Sequence, residues 1–225
     1  MHTVKIAIDG PAGAGKSTLA RRLAAKLGYV YVDTGAMYRT IAYYMLQKNA
    51  QTPDEITALL PTLKVSIAYG DDGVQHVYAN GVDVSEMIRT PEVSMGASKV
   101  SAIPAVRAFL LDTQQNLANT QSVVMDGRDI GTVVLPDAQV KIYLTASAEK
   151  RAERRFLELK EKQPENAPTY EEVLADVIAR DEQDMNRPIA PLKQAEDAVL
   201  ADTGDLDLDQ SEALLLRICK EKLGT

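Results

Sequence analysis

The sequence predicts an α/β fold in which a parallel β-sheet is covered by helices on both faces. Short apolar runs that suit buried strands alternate with stretches of helical periodicity. That alternation is typical of a doubly wound sheet, whose ligands bind beyond the carboxyl ends of the strands. The predicted strands are Val4–Ile8, Tyr29–Val32, Ser122–Met125, Val140–Leu144 and Ala198–Ala201, all but the last of which are mostly apolar. The predicted helices include Thr18–Leu27, Val106–Ala118, Glu149–Glu161, Tyr170–Met185 and Glu212–Leu223.

A glycine-rich loop follows the first strand directly and fits the pattern G-x-x-x-x-G-K-[ST]. Its glycines permit positive φ, so that successive backbone N–H groups can surround a phosphate at the start of the next helix. Lys16 can then reach the β- and γ-phosphates, and the Ser17 hydroxyl can ligate Mg²⁺ carried by the nucleotide. The alternative is a turn that binds nothing, against which the flanking strand and helix argue. The loop therefore predicts a nucleoside triphosphate site, made of Gly10, Pro11, Ala12, Gly13, Ala14, Gly15, Lys16, Ser17 and Thr18.

Composition narrows the class of protein. A chain of 225 residues suits one substantial domain, and a net charge of −7 argues against a nonspecific nucleic-acid surface. The lone Cys219 permits no internal disulfide, which suits a reducing cytoplasm. Nothing in the sequence resembles a signal peptide, and no apolar run is long enough to span a membrane.

One region breaks the alternation of strands and helices. From Lys64 to Val84 the chain is predicted to form a small antiparallel meander, with turns at Gly70–Gly73 and at Asn80-Gly81. This meander is expected to project from the core as a lobe, although an edge hairpin of the main sheet is the alternative. Farther along, the polar stretch Glu161–Pro168 is predicted to be a loop at the end of a lid.

Polar residues that follow two of the predicted strands are candidates for binding a substrate or Mg²⁺. After the second strand, Asp33 or Thr34 can cap a helix that begins near Ala36, and Tyr38 with Arg39 could hold a second anionic substrate. After the third strand, Asp126 is the candidate for the aspartate that organises Mg²⁺, although a bare Asp-Gly turn would also explain the first two residues of Asp126-Gly127-Arg128-Asp129.

Arginines cluster in the second half of the chain. Arg151, Arg154 and Arg155 lie on or near one face of a predicted helix, where arginine forks suit phosphoryl oxygens. Arg180 and Arg187 flank the acidic run Asp181-Glu182-Gln183-Asp184. A solvated, charged helix face is the alternative explanation for these residues.

The chain resembles the bacterial cytidylate kinases, the CMP/dCMP kinases among the nucleoside monophosphate kinases. The segments that carry the resemblance are Ile8–Thr18, Asp33–Arg39, Ile88–Val93, Ser98–Arg107, Asp126–Val134, Arg151–Arg155 and Asn186–Leu192. The resemblance implies a three-layer P-loop kinase fold with a five-stranded parallel sheet, an inserted antiparallel β lobe and a short lid. The implied division is a core of about 1–32, 100–148 and 168–225, a monophosphate-binding lobe of about 33–99 and a lid of about 149–167.

The resemblance also implies roles for individual residues. The CMP-binding positions are Thr34, Tyr38, Arg39, Ser98, Arg107, Arg128, Asp129, Arg180 and Arg187. The catalytic positions are Lys16, Arg128, Arg151, Arg155 and Arg187, while Arg154 joins the ATP-binding loop. Ser17 and Asp126, the latter through water, would hold Mg²⁺. The family often has Ser at the position of Thr34. Threonine keeps the hydroxyl of that serine and adds a methyl group beside it.

The implied reaction is phosphoryl transfer from ATP to CMP or dCMP, giving ADP and CDP or dCDP, by a cytoplasmic monomer that binds neither nucleic acid nor membrane. Two alternatives stay open. One is a P-loop kinase with another acceptor, such as UMP or a small metabolite. The other is a nucleotide-dependent switch without an acceptor, although the absence of an Asn-Lys-x-Asp sequence argues against a GTPase.

Overall fold

The computed structural model describes residues 3–71, 73–162, 164–165 and 167–224. The chain divides into two structural units, one formed by residues up to Val30 together with those from Ser122 onward, the other by Tyr31–Gln121. Gln163 and Asn166 of the predicted lid, and Asp72 of the first predicted meander turn, lie outside the described residues.

The strands confirm the predicted parallel sheet. Within the described residues they are β1 Lys5–Asp9, β2 Val30–Asp33, β3 Val65–Tyr69, β4 Gln75–Ala79, β5 Val82–Asp83, β6 Val123–Gly127, β7 Val140–Thr145 and β8 Val199–Asp202. The five-stranded sheet has the order β2-β6-β1-β7-β8. β1 runs parallel to β6 and β7, which places the ends of these strands, including Asp9, Gly127 and Thr145, at one edge of the sheet.

Several of the helices begin at a residue whose side chain caps their free N–H groups. Along the described chain they are α1 Lys16–Leu27, α2 Thr34–Gln47, α3 Pro53–Leu59, α4 Pro91–Ser101, α5 Pro104–Thr120, α6 Ala148–Lys162, α7 Tyr170–Asn186 and α8 Leu208–Leu223. Asp33 caps α2 and Thr169 caps α7 through their side-chain oxygens. α8 starts four residues before the predicted Glu212, because Asp207 and Gln210 form a reciprocal capping box.

The meander is a separate antiparallel sheet of order β3-β4-β5, so the alternative of an edge hairpin on the main sheet is wrong. Its second turn has positive φ at both central residues, 51° at Asn80 and 82° at Gly81, as a tight hairpin turn requires. One face of this sheet carries Val65, Val77 and Ala79, which are buried in the apolar core of the second unit.

The region of the predicted lid, about 149–167, contains nearly all of α6 and the approach to α7. α6 and α7 pack through Ala152, Val173 and Val177, with Phe156 and Tyr170 in an edge-to-face contact at 6.3 Å. The predicted loop Glu161–Pro168 includes the last two residues of α6. None of the described helices has both the length and the apolar character needed to cross a bilayer.

Candidate active site

The glycine loop lies between β1 and α1 and has the backbone of an anion nest. Gly13 and Gly15 have φ of 75° and 85°, and Gly15 is the N-cap of α1 without a side chain to occupy the first amides. Gly10 lies so close to β7 that a Cβ there would be 1.9 Å from the carbonyl oxygen of Leu144. The loop is thus shaped by backbone demands that only glycine meets at these positions.

Lys16 is buried beneath this loop. Its Nζ donates to the carbonyl oxygen of Pro11 at 2.7 Å, and its residue exposure is 5%. Burial is the main cause that lowers the pKa of Lys16 to about 7, the positive charge of Arg128 adds to it, and Asp126 opposes it. An anion that entered the loop would find an ammonium group with little competing solvation.

Ser17 and Asp126 face each other at the start of α1 and the end of β6. The Ser17 Oγ donates to Asp126 Oδ2 at 2.9 Å, and Asp126 is buried. One hydroxyl and one carboxylate fit Mg²⁺, which takes few protein oxygens and completes its shell with water and phosphate. No cluster of three or more His, Cys, Asp or Glu side chains suited to a metal occurs among the described residues.

Asp9, the last residue of β1, is a site residue that sequence reasoning missed. Its Oδ1 accepts from the Ile130 N–H and its Oδ2 from the Gly131 N–H, each at 2.7 Å. Burial raises the pKa of Asp9 to about 6, opposed by these two hydrogen bonds. A carboxylate ending an apolar strand, one residue before a glycine loop, was the signal that could have found it.

Two ion pairs hold the residues that follow β6. Arg128 Nε lies 2.7 Å from Asp184 Oδ2, and Arg187 Nη2 lies 3.1 Å from Asp129 Oδ1. The second pair is the more buried, with side-chain exposures of 5% and 6%. Both pairs join the end of β6 to the carboxyl end of α7, where Arg180 is also half-buried. Asp184 was part of the predicted acidic run but had no predicted role.

The three predicted arginines of α6 go to three different places. Arg151 is buried, donating to the Ala12 carbonyl oxygen of the glycine loop and making a two-pronged ion pair with Asp181. Arg154 Nη2 donates to the Thr203 carbonyl oxygen at 2.6 Å. Arg155 makes an exposed ion pair with Glu158. Arg151 is therefore the member of the trio that contacts the glycine loop directly.

In the second unit, Asp33 organises the beginning of α2. Its Oδ1 accepts from the Ala36 N–H at 2.9 Å, and its Oδ2 lies 3.0 Å from Arg39 Nη2. Gly35 lies beneath this pair, since a Cβ there would be 3.1 Å from both Arg39 Nη1 and Asp33 Oδ1. Thr34 is buried in the first turn of the same helix. The predicted cap is therefore Asp33, which also fixes Arg39.

Other predicted acceptor residues of this unit also lie together. The Arg107 guanidinium lies 5.6 Å from the centre of the Tyr38 ring, and its Nη1 donates to the Ser101 carbonyl oxygen at 3.2 Å. Ser98 is one helical turn earlier on α4, with its carbonyl oxygen accepting from Ser101 Oγ. Arg107 is 9% exposed, so its fork is held in a fixed direction.

Together, a parallel sheet, a glycine loop with a buried lysine, and an aspartate on the loop serine define a P-loop nucleotide-binding protein. The fold agrees with a shikimate kinase from Bacteroides thetaiotaomicron, at a TM-score of 0.50 and 17% identity over 99% of both chains. A family model described as cytidylate kinase matches residues 6–221. Similar proteins include two named cytidylate kinases. The one from Carboxydothermus hydrogenoformans is 52% identical over 97% of this chain and 98% of the relative. The one from Lactiplantibacillus plantarum is 42% identical over 98% of this chain and 96% of the relative. The chain belongs to the cytidylate kinase family.

Proposed function

We propose that this protein transfers the γ-phosphoryl group of ATP to CMP or dCMP in a Mg²⁺-dependent reaction, giving ADP and CDP or dCDP. The observation that carries the proposal is the end of β6, where Asp126 contacts the loop serine and Asp129 pairs with Arg187. One strand end thus joins a nucleotide-binding loop to a second charged site, which a nucleotide switch without an acceptor would not need.

The donor is assigned to the glycine loop, Gly10–Thr18, with Arg154 as an additional ATP contact. The buried Lys16 ammonium would bind the β- and γ-phosphates, whose charge would replace the solvation it lacks. Ser17 and Asp126, the latter through water, would hold the Mg²⁺ that accompanies ATP. When bound, that ion would neutralise charge on the phosphates.

The acceptor is assigned to the residues that the family resemblance matches. Thr34, Tyr38 and Arg39 would bind the monophosphate and sugar, and Arg128, Arg180 and Arg187 would contact the same nucleotide. Ser98, Arg107 and Asp129 would bind the cytosine edge. Arg107 can donate to the ring N3 or O2, while Asp129 can accept from the exocyclic amine. Uracil places a carbonyl where that amine was, so its oxygen would face a carboxylate without a proton between them.

The chemistry needs no general base on the protein. The second pKa of a phosphate monoester is about 6, so the acceptor is largely dianionic at neutral pH. Catalysis is then a matter of aligning two anions and stabilising the charge of the group in transit. We assign that task to Lys16, Arg128, Arg151, Arg155 and Arg187, with the lid region excluding water that would otherwise hydrolyse ATP.

We further propose that the protein works in the cytoplasm as a monomer, with nucleotides rather than nucleic acids or membranes as its partners. Its net charge of −7 disfavours polyanionic surfaces. Its one cysteine, Cys219, is buried, and burial raises the pKa of that thiol to about 12, which suits a packing role in a reducing compartment.

A coupled assay of ADP release tests the function. The enzyme is given ATP with CMP, dCMP, UMP, AMP or GMP, and without any acceptor. We expect turnover with CMP and dCMP to exceed that with the other acceptors by at least tenfold, and none of it to survive in Lys16→Ala. ADP release that does not depend on CMP would support a switch, and preference for another acceptor would support a different kinase.

A further inference from the structure

The small antiparallel sheet presents two polar side chains on its apolar face. Tyr69 at the end of β3 lies directly opposite Gln75 at the start of β4. Because side chains alternate along a strand, they share a face with Val65, Val77 and Ala79, which are buried. A glutamine in line with core residues needs a partner for its amide.

That partner is the backbone of β2. Asp33 N–H donates to Gln75 Oε1 at 2.9 Å, and Gln75 Nε2 donates back to the Asp33 carbonyl oxygen at 3.3 Å. The Tyr69 hydroxyl donates to the Tyr31 carbonyl oxygen at 2.9 Å. β2 is the first strand in the order of the main sheet. The Gln75 and Tyr69 side chains therefore form hydrogen bonds with its backbone groups, as the backbone of a neighbouring strand would.

Asp33, whose backbone Gln75 binds, is also the residue that orients Arg39. The Asp33 backbone is fixed by Gln75, while its carboxylate caps α2 at Ala36 and pairs with Arg39. A rotation of the Asp33 backbone would therefore move both the helix cap and the partner of the guanidinium. This chain of contacts runs from the inserted sheet to a predicted phosphate-binding arginine entirely within the second unit.

We infer that Gln75 is a positioning residue for the acceptor site: the inserted sheet, through Gln75 and with support from Tyr69, fixes the end of β2 so that Asp33 presents Arg39 to the monophosphate. This inference rests on the proposed function for the identity of the ligand. The arrangement of Gln75, Asp33 and Arg39 itself does not depend on it.

Steady-state kinetics of the full-length protein separate positioning from general loss of structure. Loss of two neutral hydrogen bonds in Gln75→Ala should raise the KM for CMP by about three- to tenfold, with the KM for ATP changed less than twofold. Tyr69→Phe should give a smaller rise. Gln51→Ala, on an exposed loop, and Tyr78→Phe, on the opposite face of the insert, are the matched controls and should leave both KM values unchanged.

A double-mutant cycle with Arg39 gives the decisive outcome. If Gln75 acts through Arg39, Gln75→Ala should have little further effect on the KM for CMP in an Arg39→Ala background. An equal effect in both backgrounds, or an equal rise in the KM for ATP, would overturn the inference.

Hydrogen exchange tests the same contact without activity. In Gln75→Ala the amides of Asp33 and Ala36 should exchange faster than in the Tyr78→Phe control, because the first loses its acceptor and the second depends on the Asp33 carboxylate. Unchanged exchange at both amides would overturn the positioning role. If wild-type protein fails to phosphorylate CMP while this exchange difference is present, the proposed function fails and the structural coupling stands.

Discussion

The carboxylate of Asp9 accepts the backbone N–H of Gly131 at 2.7 Å, and with it the N–H of Ile130 at the same distance. The residue before the glycine loop is thereby bonded to the short π-helix Ile130–Val134 that follows Asp129. Gly131 leaves room for this contact, since a Cβ there would lie 3.2 Å from the Lys141 side chain. The donor loop and the segment proposed to bind cytosine are thus joined by one buried carboxylate.

The burial of Asp9 predicts that the stability of the folded protein depends on pH. The pKa of Asp9 is raised from 3.8 to about 6, chiefly by burial, with Asp129 raising and Lys16 lowering it. The folded state therefore holds a proton that the unfolded state releases between these pH values, and its stability falls as the pH rises through that window. The loss is on the order of 3 kcal/mol and is nearly complete at about pH 7, one unit above the folded pKa.

Urea denaturation of wild type and Asp9→Asn between pH 4 and 7 measures this effect. The free energy of unfolding of wild type, taken relative to the variant, should fall across the window. Asp112→Asn, on the exposed surface of α5, serves as the control and should show no such relative change. A constant difference between wild type and Asp9→Asn would contradict the prediction.

Lys16 predicts proton uptake on nucleotide binding. Its pKa of about 7 leaves much of the ammonium deprotonated at pH 8, and bound phosphates would raise that pKa by their negative charge. Binding of ATP at pH 8 should therefore take up as much as about one proton for each site. Calorimetry in two buffers of different ionisation enthalpy measures the uptake.

The matched variants for that measurement are Lys16→Met and Lys220→Ala. The first should abolish the uptake if it still binds ATP, whereas the second, on the exposed side of α8, should retain it. Equal heats in the two buffers for wild type would show that Lys16 does not gain a proton from solution.

The main elements were predictable because their signals are local. Apolar runs gave β1, β6 and β7 to within one or two residues, since strands covered on both faces need continuous apolar character. α3 and α4 were not predicted, and α3 is only seven residues long. Their starts nevertheless carry a local signal, Thr52-Pro53 and Thr90-Pro91, in which threonine caps and proline occupies the first helical position.

The partners of the site residues were not predictable in the same way. The glycine loop is a contiguous motif, but the Arg128–Asp184 and Arg187–Asp129 pairs join residues 56 and 58 positions apart. No periodicity reports such pairings. The tie from Gln75 to Asp33, 42 positions away, depends on how the insert folds onto the end of β2. Residue types were therefore visible in the sequence, while their pairing required the fold.

Asp129 predicts a change in base selectivity. If its carboxylate accepts from the cytosine amine, Asp129→Ala should lower the ratio of kcat/KM for CMP to that for UMP by about tenfold or more. Steady-state kinetics with both acceptors give the ratio. Equal losses for the two nucleotides would contradict the role.

A stability measurement is needed beside these kinetics, since Asp129→Ala also strips Arg187 of a buried partner. A cost of about 3 kcal/mol is expected, because the buried Arg187 guanidinium loses its carboxylate partner while its bond to the Ala190 carbonyl oxygen stays. Asp129→Asn keeps the volume and one acceptor oxygen, and should be the better folded of the two. A loss of selectivity in both variants would separate base recognition from destabilisation.

Arg151 predicts a coupling between α6, α7 and the glycine loop. It is 4% exposed, lies 2.5 Å from Asp181 Oδ2 and donates to the Ala12 carbonyl oxygen at 2.9 Å. Arg151→Ala should cost about 3 kcal/mol of stability by leaving Asp181 unpaired, and should weaken ATP binding by loosening the loop. The double variant Arg151→Ala/Asp181→Ala should recover part of the stability but not the ATP affinity.

Chemical denaturation and equilibrium binding of ATP measure these two quantities. The exposed Arg217–Glu221 pair is the matched control, with side-chain exposures of 69% and 70%. Removing Arg217 should change stability by no more than about 0.5 kcal/mol. If Arg151→Ala were equally neutral, the buried pair would not hold the loop.

We expect a single added methyl group to destabilise the protein most at Gly10. An alanine Cβ at this position would lie 1.9 Å from the backbone oxygen of Leu144, and backbone cannot step aside as a side chain can. Gly10→Ala should therefore displace the loop from β7, lower the free energy of unfolding by at least about 3 kcal/mol and raise the KM for ATP.

Gly28→Ala is the control, because Gly28 has φ of 66° but nothing within 4 Å of its Cβ position. That variant should cost only about 1 kcal/mol, from the left-handed backbone alone. Urea denaturation of the two variants compares the steric clash with the conformational cost, and equal losses would show that the approach of Gly10 to Leu144 adds nothing.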